Sequence, residues 1–511
     1  MALLRSSSPC QQTPFEILGS PNRQPLTANR GHLPLTMPFA RILRSSALMG
    51  GAQVVVLAAG FVRAKAIALI LGASGVGLIG IFNAFSGNIS SLAGWGLGTS
   101  GVRLIAGADA DAKPAKVAAV RRMGWTLSLL GLGLGLLAFW PTARLTFASS
   151  EYATEMAIVA LAVPCVIASS AWSAILQASG KIGSLAKVQI AGALTGLLLG
   201  LPAIYFWGTL GIALSILLAA AVPAFVLWRT ARSESAAGSL AQVDGADLRQ
   251  LVTLGGALMV VGWLGQLSAY LVRLTIVRHA GLEAAGYYQA AFAISGSLPG
   301  FVFAAMGADF FPRVAAAKDE AEAREVTERQ IQGGLLLGTP IVMALLALGK
   351  LSLHLLYARS FDAALPLLAW MTWGVFIRLM TWPLGFWLLA RGSGRMVVMI
   401  ESIGALFAAL LPMVLIGRFG LVSAAIAIAI SSAVYGVAVA IVFRSRSGEW
   451  FSAETHLWAG LAAVTLAAGQ WWSAGQANEY AGCAPVVLVA VACAWLYRRQ
   501  VGRVIPSKAD R

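Results

Sequence analysis

Ala47-Leu48-Met49 returns as Ala257-Leu258-Met259, and the interval of about 210 residues between them recurs along the chain. At that interval Arg63 matches Arg273 and Arg103 matches Arg313. Leu145-Thr146-Phe147-Ala148-Ser149-Ser150 is echoed by Leu355-Leu356-Tyr357-Ala358-Arg359-Ser360. Farther on the interval becomes 212: Ala178, Gly180, Gly192, Ala193 and Leu194 match Ala390, Gly392, Gly404, Ala405 and Leu406. Each copy is too apolar to be soluble. A repeat of this length in such a chain predicts two similar membrane bundles side by side.

Composition supports that reading. Apolar residues make up 58% of the chain and charged residues 11%, against roughly 25% charged in soluble domains. The mean hydropathy is +0.78. Apolar stretches long enough to cross a bilayer, about 20 residues, recur throughout. The net charge of +16 does not point to nucleic acid, because the positive residues fall in alternate loops and form no basic face with interleaved aromatics. Cys10, Cys165, Cys483 and Cys493 lack metal-ligand spacing, and His32, His279, His354 and His456 form no H-x-x-x-H pair. No metal site is expected.

Residues 1–36 are rich in Ser, Pro, Gln, Asn and Arg and contain no apolar core of the signal-peptide kind. They are expected to be a disordered tail, or the product of a start chosen upstream of a true start at Met37. Hydrophobic segments follow near 45–71, 78–105, 121–140, 155–178, 185–206 and 210–228, and then near 250–278, 286–311, 330–356, 363–390, 396–416 and 420–443. Two more lie near 456–473 and 482–497. The expected fold is an all-α polytopic membrane protein: two six-helix lobes in parallel repeat around a central cavity, plus a C-terminal helix pair. The lobes occupy 37–230 and 250–446, with a cytoplasmic linker at 231–249 and the extra pair with its tail at 447–511. Lys and Arg crowd the tails and the loops of one side, among them Arg121, Arg122, Lys181, Lys187, Lys318, Arg324, Arg391 and Arg498; the other side has Arg144, Arg278, Arg359 and Arg418. The positive-inside rule then places both termini in the cytoplasm.

Few charges remain inside the spans: Arg63, Lys65, Arg103, Arg273, Arg378 and Glu401, with Asp309 and Lys350 near span ends. Each arginine facing lipid at the bilayer centre costs roughly 2.5–3.5 kcal/mol, so these side chains must face protein or a watery cavity. Arg63 and Arg273 hold matching places in the two copies. Together with Arg378 they are expected to converge on one cavity and attract an anion, since guanidinium groups match phosphate in a bidentate way. Snorkelling or pairing with backbone carbonyls is the alternative, and it is the better reading for Arg103, near a span end. Lys65 lies about 200° around the helix from Arg63, so the two cannot point along one cavity wall. Glu401, whose counterpart is Gln189, is open to two readings: an ion carrier, or a structural partner of Arg395 or of an arginine on a neighbouring helix. Asp309 with Arg313 reads as an i,i+4 pair at a helix end, and Asp309 is also kept as a candidate for ion coupling.

Nothing in the chain reads as an enzyme. There is no G-K-[ST] phosphate loop, no paired-carboxylate or Cys/His constellation, and no large outer loop of the kind membrane glycan polymerases carry. Two stretches carry most of a resemblance to a known family: Gly307-Ala308-Asp309-Phe310-Phe311-Pro312-Arg313, and Trp382-Pro383-Leu384-Gly385-Phe386-Trp387-Leu388-Leu389-Ala390-Arg391-Gly392, followed by Glu401; Gly60-Phe61-Val62-Arg63, followed by Gly72-Ala73, resembles the lipid II flippase. The pattern from about Met37 to Arg446 resembles bacterial Wzx-type polysaccharide flippases (O-antigen and enterobacterial-common-antigen translocases). Their superfamily also holds the multidrug MATE exporters and the lipid II flippase. The resemblance implies alternating access by two six-helix lobes, with an undecaprenyl-diphosphate-linked oligosaccharide as cargo. It places Arg63 where the lipid II flippase has a cavity arginine, while the arginine of that protein's eighth span falls near Ala293 here. Lipid II itself is therefore a poorer fit.

The expected function is a flippase of the bacterial inner membrane for lipid-linked oligosaccharide units of an O-antigen-like or lipopolysaccharide glycan. Arg63, Arg273, Arg378, Lys65 and Arg103 are the candidate diphosphate-binding residues, and Glu401 and Asp309 the candidates for ion coupling. No cofactor is expected beyond a proton or sodium gradient. The expected partners are the lipid-linked oligosaccharide, membrane lipids, and polysaccharide polymerase and chain-length proteins. A MATE-type drug or cation antiporter is the alternative; its cationic cargo requires cavity carboxylates, and here the spans hold more arginine than carboxylate. Asn83, Asn88, Gln266, Tyr270 and Gln289 are candidate glycan contacts.

Overall fold

A computed structural model of the chain describes residues 38–236, 244–474 and 483–504. The tail expected at 1–36, residues 237–243 of the linker and the final residues lie outside them. The described residues form α1 (Pro38–Ala93), α2 (Leu97–Ala106), α3 (Lys113–Phe147), α4 (Ala153–Ala178), α5 (Ile182–Leu198), α6 (Gly200–Ala236), α7 (Gly245–Ala316), α8 (Glu320–Ala347), α9 (Gly349–Leu356), a 3-10 helix (Arg359–Ala364), α10 (Leu365–Ala390), α11 (Gly394–Phe419), α12 (Val422–Ser447), α13 (Ala453–Ala474) and α14 (Cys483–Val504). No strand occurs among them. In hydrocarbon every backbone N–H and C=O needs an internal partner, and a helix supplies it within one segment.

Nine of the described helices are long and apolar enough to cross a membrane, and the chain is a multi-pass membrane protein. Two of those apolar stretches, Leu48–Ala93 and Gly245–Ser297, run to 46 and 53 residues, more than twice the roughly 20 residues one crossing requires. Both are interrupted by a glycine outside helical geometry: Gly72 at φ 65° in α1 and Gly281 at φ 85° in α7. Each is therefore two helices joined at a sharp corner.

The turns carry the repeat as clearly as the helices. Gly180 and Gly392 both sit at φ 73°, closing α4 and α10. Gly208 and Gly420 sit at φ 55° and 58°. Both pairs keep the interval of 212. A residue with a Cβ is strained at such φ, so glycine is needed where the chain reverses in one step. Backbone hydrogen bonds continue from Thr195 through Leu199 to Ala203, so α5 runs on into the start of α6 and the true corner is Gly208.

Packing repeats too. In the first set α1 packs on α5, α4 on α6 and α5 on α6; in the second α7 packs on α11, α10 on α12 and α11 on α12. The two sets meet chiefly where α1 lies along α7. One apolar core draws on both, with Phe82, Phe85 and Met156 packed near Ile276, Tyr288 and Phe361. Each set also has its own core, around Trp172 and Ile175 in the first and around Trp387 and Phe443 in the second. Both α13 and α14 pack on α8.

One expected element differs. The segment 78–105 reads as a single apolar span, yet the helix stops at Ala93 and restarts at Leu97. Between them Trp95 and Gly96 adopt φ 49° and 61°. The break lies where α7 crosses: a Cβ on Gly255 would come within 2.3 Å of the Trp95 carbonyl oxygen, and the Trp95 indole N–H donates to the Val252 carbonyl at 2.9 Å. The apolar periodicity of the segment carries no sign of this contact, because the residue that causes it lies in the other copy.

Candidate functional site

Gln53, Val56, Gly60 and Arg63 recur along α1 at helical spacing and line one wall of a cavity of about 560 Å³. Its other walls come from Ser169 and Ser173 on α4, Gln189 and Gly192 on α5, and Ala219 and Pro223 on α6. The cavity therefore lies within the first set of six helices. Arg63 donates from Nη2 to Ser215 Oγ at 3.2 Å. Its Nε is buried and finds no acceptor among the described residues. Gly196 makes room for the guanidinium, since a Cβ there would stand 3.1 Å from Nη1. No acidic residue lines this cavity. The arginine is thus walled by amides, hydroxyls and apolar groups, without a carboxylate in the lining.

A second cavity, of about 220 Å³, lies in the corresponding place in the second set, lined by residues of α7, α10, α11 and α12. The interval of 212 pairs its lining with that of the first: Glu401 for Gln189, Gly404 for Gly192, Ala405 for Ala193 and Tyr435 for Pro223. Here the arginine is answered from within. Arg378 donates from Nη2 to Glu401 Oε1 at 2.6 Å, and its guanidinium carbon stands 3.8 Å from the centre of the Tyr435 ring. The two cavities are equivalent in position and opposite in completeness, one holding an unanswered cation and the other a closed pair.

Arg273 is placed differently again. It is 6% exposed, and both Nε and Nη2 donate to Gln289 Oε1, at 3.2 and 2.8 Å. Its Nη1 donates to the Ala269 carbonyl at 2.8 Å, and the guanidinium lies 5.5 Å from the Tyr288 ring and 5.0 Å from that of Phe292. The three arginines expected to meet in one cavity thus occupy three places. The repeat pairs Arg63 with Arg273 by position, but their neighbours differ. Gln289, in the second half of α7, gives Arg273 an acceptor, whereas residues 79 and 80, the matching places on α1, are Ile and Gly.

The remaining candidates lie elsewhere. Lys65 points away from the first cavity and donates to the Leu355 carbonyl at 2.7 Å, tying α1 to α9. Arg103 is exposed in the last turn of α2, where a cation is favoured by the helix dipole. The side chain of Asp309 lies outside those described. No group of three potential metal ligands occurs among the described residues.

Besides the apolar packing, side-chain polar contacts link the two sets. Lys116 at the start of α3 forms an ion pair with Asp247 at the start of α7, close to the Trp95 contact with Val252. Far from these, Thr146 and Tyr270 share a hydrogen bond of 2.6 Å, beside the reach of Lys65 to α9. Sequence reasoning missed the Arg63 surroundings Gln53, Ser169, Ser173 and Ser215, and also Tyr435. The substitution of Tyr435 for Pro223 at a matched position was the available signal. From sequence Gln289 stands only as one candidate glycan contact among several.

A family model described as polysaccharide biosynthesis protein matches residues 42–318, more than half of the chain. Among solved structures, the lipid II flippase MurJ in an inward closed conformation superposes with a TM-score of 0.71 at 13% identity, over 90% of this chain and 99% of that one. An inward-facing multidrug resistance MATE family transporter of the MOP superfamily gives 0.59 at 15% identity, over 78% and 94%. A MOP superfamily transporter from Pyrococcus furiosus, described as having a binding pocket of reversed polarity, gives 0.54 at 13% identity, over 80% and 95%. These likenesses establish a shared fold. A search of curated proteins finds no match.

Proposed function

The chain belongs to the family of polysaccharide biosynthesis proteins, and from that membership we propose that it is a flippase for undecaprenyl-diphosphate-linked oligosaccharide. It carries these units from the cytoplasmic to the periplasmic leaflet of a bacterial inner membrane, with both termini in the cytoplasm, for an O-antigen-like surface glycan. The observation that carries the reading is the first cavity: Arg63 faces a space without one lining carboxylate and keeps a buried Nε unanswered. Such a site favours anionic cargo and repels cations. A diphosphate on a sugar is anionic and too polar to cross hydrocarbon unaided.

In this reading Arg63 and Arg273 engage the diphosphate as the two sets of helices move, and Arg378 joins them once Glu401 releases it. Protonation of Glu401, or its capture of sodium, is the release step and couples transport to a gradient. Alternating access replaces one pair of links between the sets with the other, without covalent chemistry. Polymerase and chain-length proteins would take over the delivered unit.

A drug or cation antiporter is the second reading. The shared fold and the Glu401 carboxylate favour it, but that carboxylate is already paired with Arg378. The two are separated by replacing Arg63 or Arg273 with Ala in cells that depend on this protein. The flippase reading expects surface polysaccharide to be lost while the protein remains in the membrane. Normal polysaccharide in both variants removes the diphosphate role.

A further inference from the structure

Gln289 covers one edge of the Arg273 guanidinium. A single oxygen, Oε1, accepts from both Nε and Nη2 of Arg273. Those two N–H groups form the side-on fork with which a guanidinium takes an oxyanion. The third direction is filled by the Ala269 carbonyl, and the faces lie near two aromatic rings. Every acceptor around this buried cation is neutral.

The amide is held in place from the other set of helices. Gly80 of α1 lies directly over it, and a Cβ there would stand 2.6 Å from Gln289 Oε1. Toward the glycine corners the backbones of α1 and the second half of α7 are in close contact: a Cβ on Gly77 would meet the Leu282 carbonyl oxygen at 2.5 Å, and one on Gly286 the Ala73 carbonyl oxygen at 1.9 Å. The Arg273–Gln289 bond joins the two halves of α7 across the Gly281 corner, and the α1 backbone at Gly80 closes over the amide from the other set.

We infer that Gln289 is a neutral stand-in for an oxyanion of the cargo: it occupies the binding edge of Arg273 when α1 and α7 are closed together and yields that edge to a diphosphate when they separate. A neutral amide suits this task. A carboxylate at the same place would pair with Arg273 and compete with cargo in every state. An apolar side chain would leave a buried guanidinium edge without an acceptor and weaken the closed state. Gln289 is thus a positioning residue that sets the fraction of protein competent to bind, and apparent affinity scales with that fraction. The inference rests on the proposed role of Arg273 as a head-group cation.

The test is binding of farnesyl diphosphate to the detergent-solubilised full chain, with thermal stability recorded alongside. Gln289→Glu should weaken binding by about tenfold or more with stability kept or raised; Gln289→Met should tighten binding several-fold with stability lowered. A merely structural role would shift affinity the same way in both variants. Shifts of one sign, or no shift in either, overturn the inference. Arg273→Ala locates the failure. If it binds as the wild type does, the role of Arg273 falls and Gln289 with it. If it loses binding while both Gln289 variants match the wild type, only the stand-in falls.

Discussion

Arg63 keeps its charge among hydroxyls and amides, and that isolation defines what it can do. Substitution by Lys preserves the charge but not the planar fork. Arg63→Lys should therefore retain a minor part of the surface polysaccharide and Arg63→Ala none, as read by quantifying glycan on cells with equal membrane protein. The Arg378–Glu401 pair makes the opposite case. Its side chains are about one-third exposed, so breaking it costs less than breaking a fully buried pair, about 1–2 kcal/mol. Glu401→Gln should lower the unfolding temperature, and Arg378→Met in the same protein should recover most of the loss. If Glu401 also couples transport, collapsing the proton and sodium gradients should stop the wild type; unchanged transport removes that role. The repeat made the positions of Arg63 and Arg273 legible from sequence alone. It could not supply their surroundings, because Ser215, Gln289 and Tyr435 come from helices whose packing angle no periodicity records.

Between helices, close backbone approach governs how the two sets meet. Apolar side chains gain nothing by leaving lipid for one another, so small residues that let helices touch supply much of the association. Gly286 and Gly255 are the sharpest instances, each meeting the backbone of the other set. Gly286→Ala should push α1 off α7, lower stability by about 1–3 kcal/mol and shift the protein toward separated sets, as read by thermal unfolding and by cross-linking of cysteines placed across that contact. Gly133, where a Cβ would meet nothing within 4 Å, is the matched control and should tolerate Ala. The spans were largely legible, because apolar length decides them: the reading of 155–178 meets α4, and that of 185–206 meets the helix that turns at Gly208. The break at Trp95 was not, since it answers to Gly255 in the other copy.

For the whole molecule, the two sets are tied by the Lys116–Asp247 pair and the Trp95 contact in one place and by Thr146–Tyr270 and Lys65 elsewhere, and the proposed alternating access requires that these ties be made and broken in turn. The Lys116–Asp247 pair is the one most open to test. Asp247 is almost fully buried, so Lys116→Glu or Asp247→Lys alone should impair export, and the double exchange should restore it as cell-surface glycan. Failure of the double exchange would mean that the pair holds the helices without taking part in the cycle. The two cavities give the molecule an asymmetry that its repeat lacks: the arginine of one has no carboxylate in its lining, and that of the other is paired with Glu401. That asymmetry fits a carrier of a charged head group coupled to an ion more readily than a symmetric pore.

The cargo in the flippase reading is a lipid-linked oligosaccharide moved across the membrane. Mass spectrometry of the undecaprenyl pool in a strain lacking this gene, combined with a probe that reacts only with the outward leaflet, reads that movement. One complete oligosaccharide unit should accumulate and stay inaccessible to the probe, and wild-type protein, but not Arg63→Ala, should release it. A pool of unchanged size and leaflet distribution, with cationic drugs building up in the cells instead, would contradict the flippase reading.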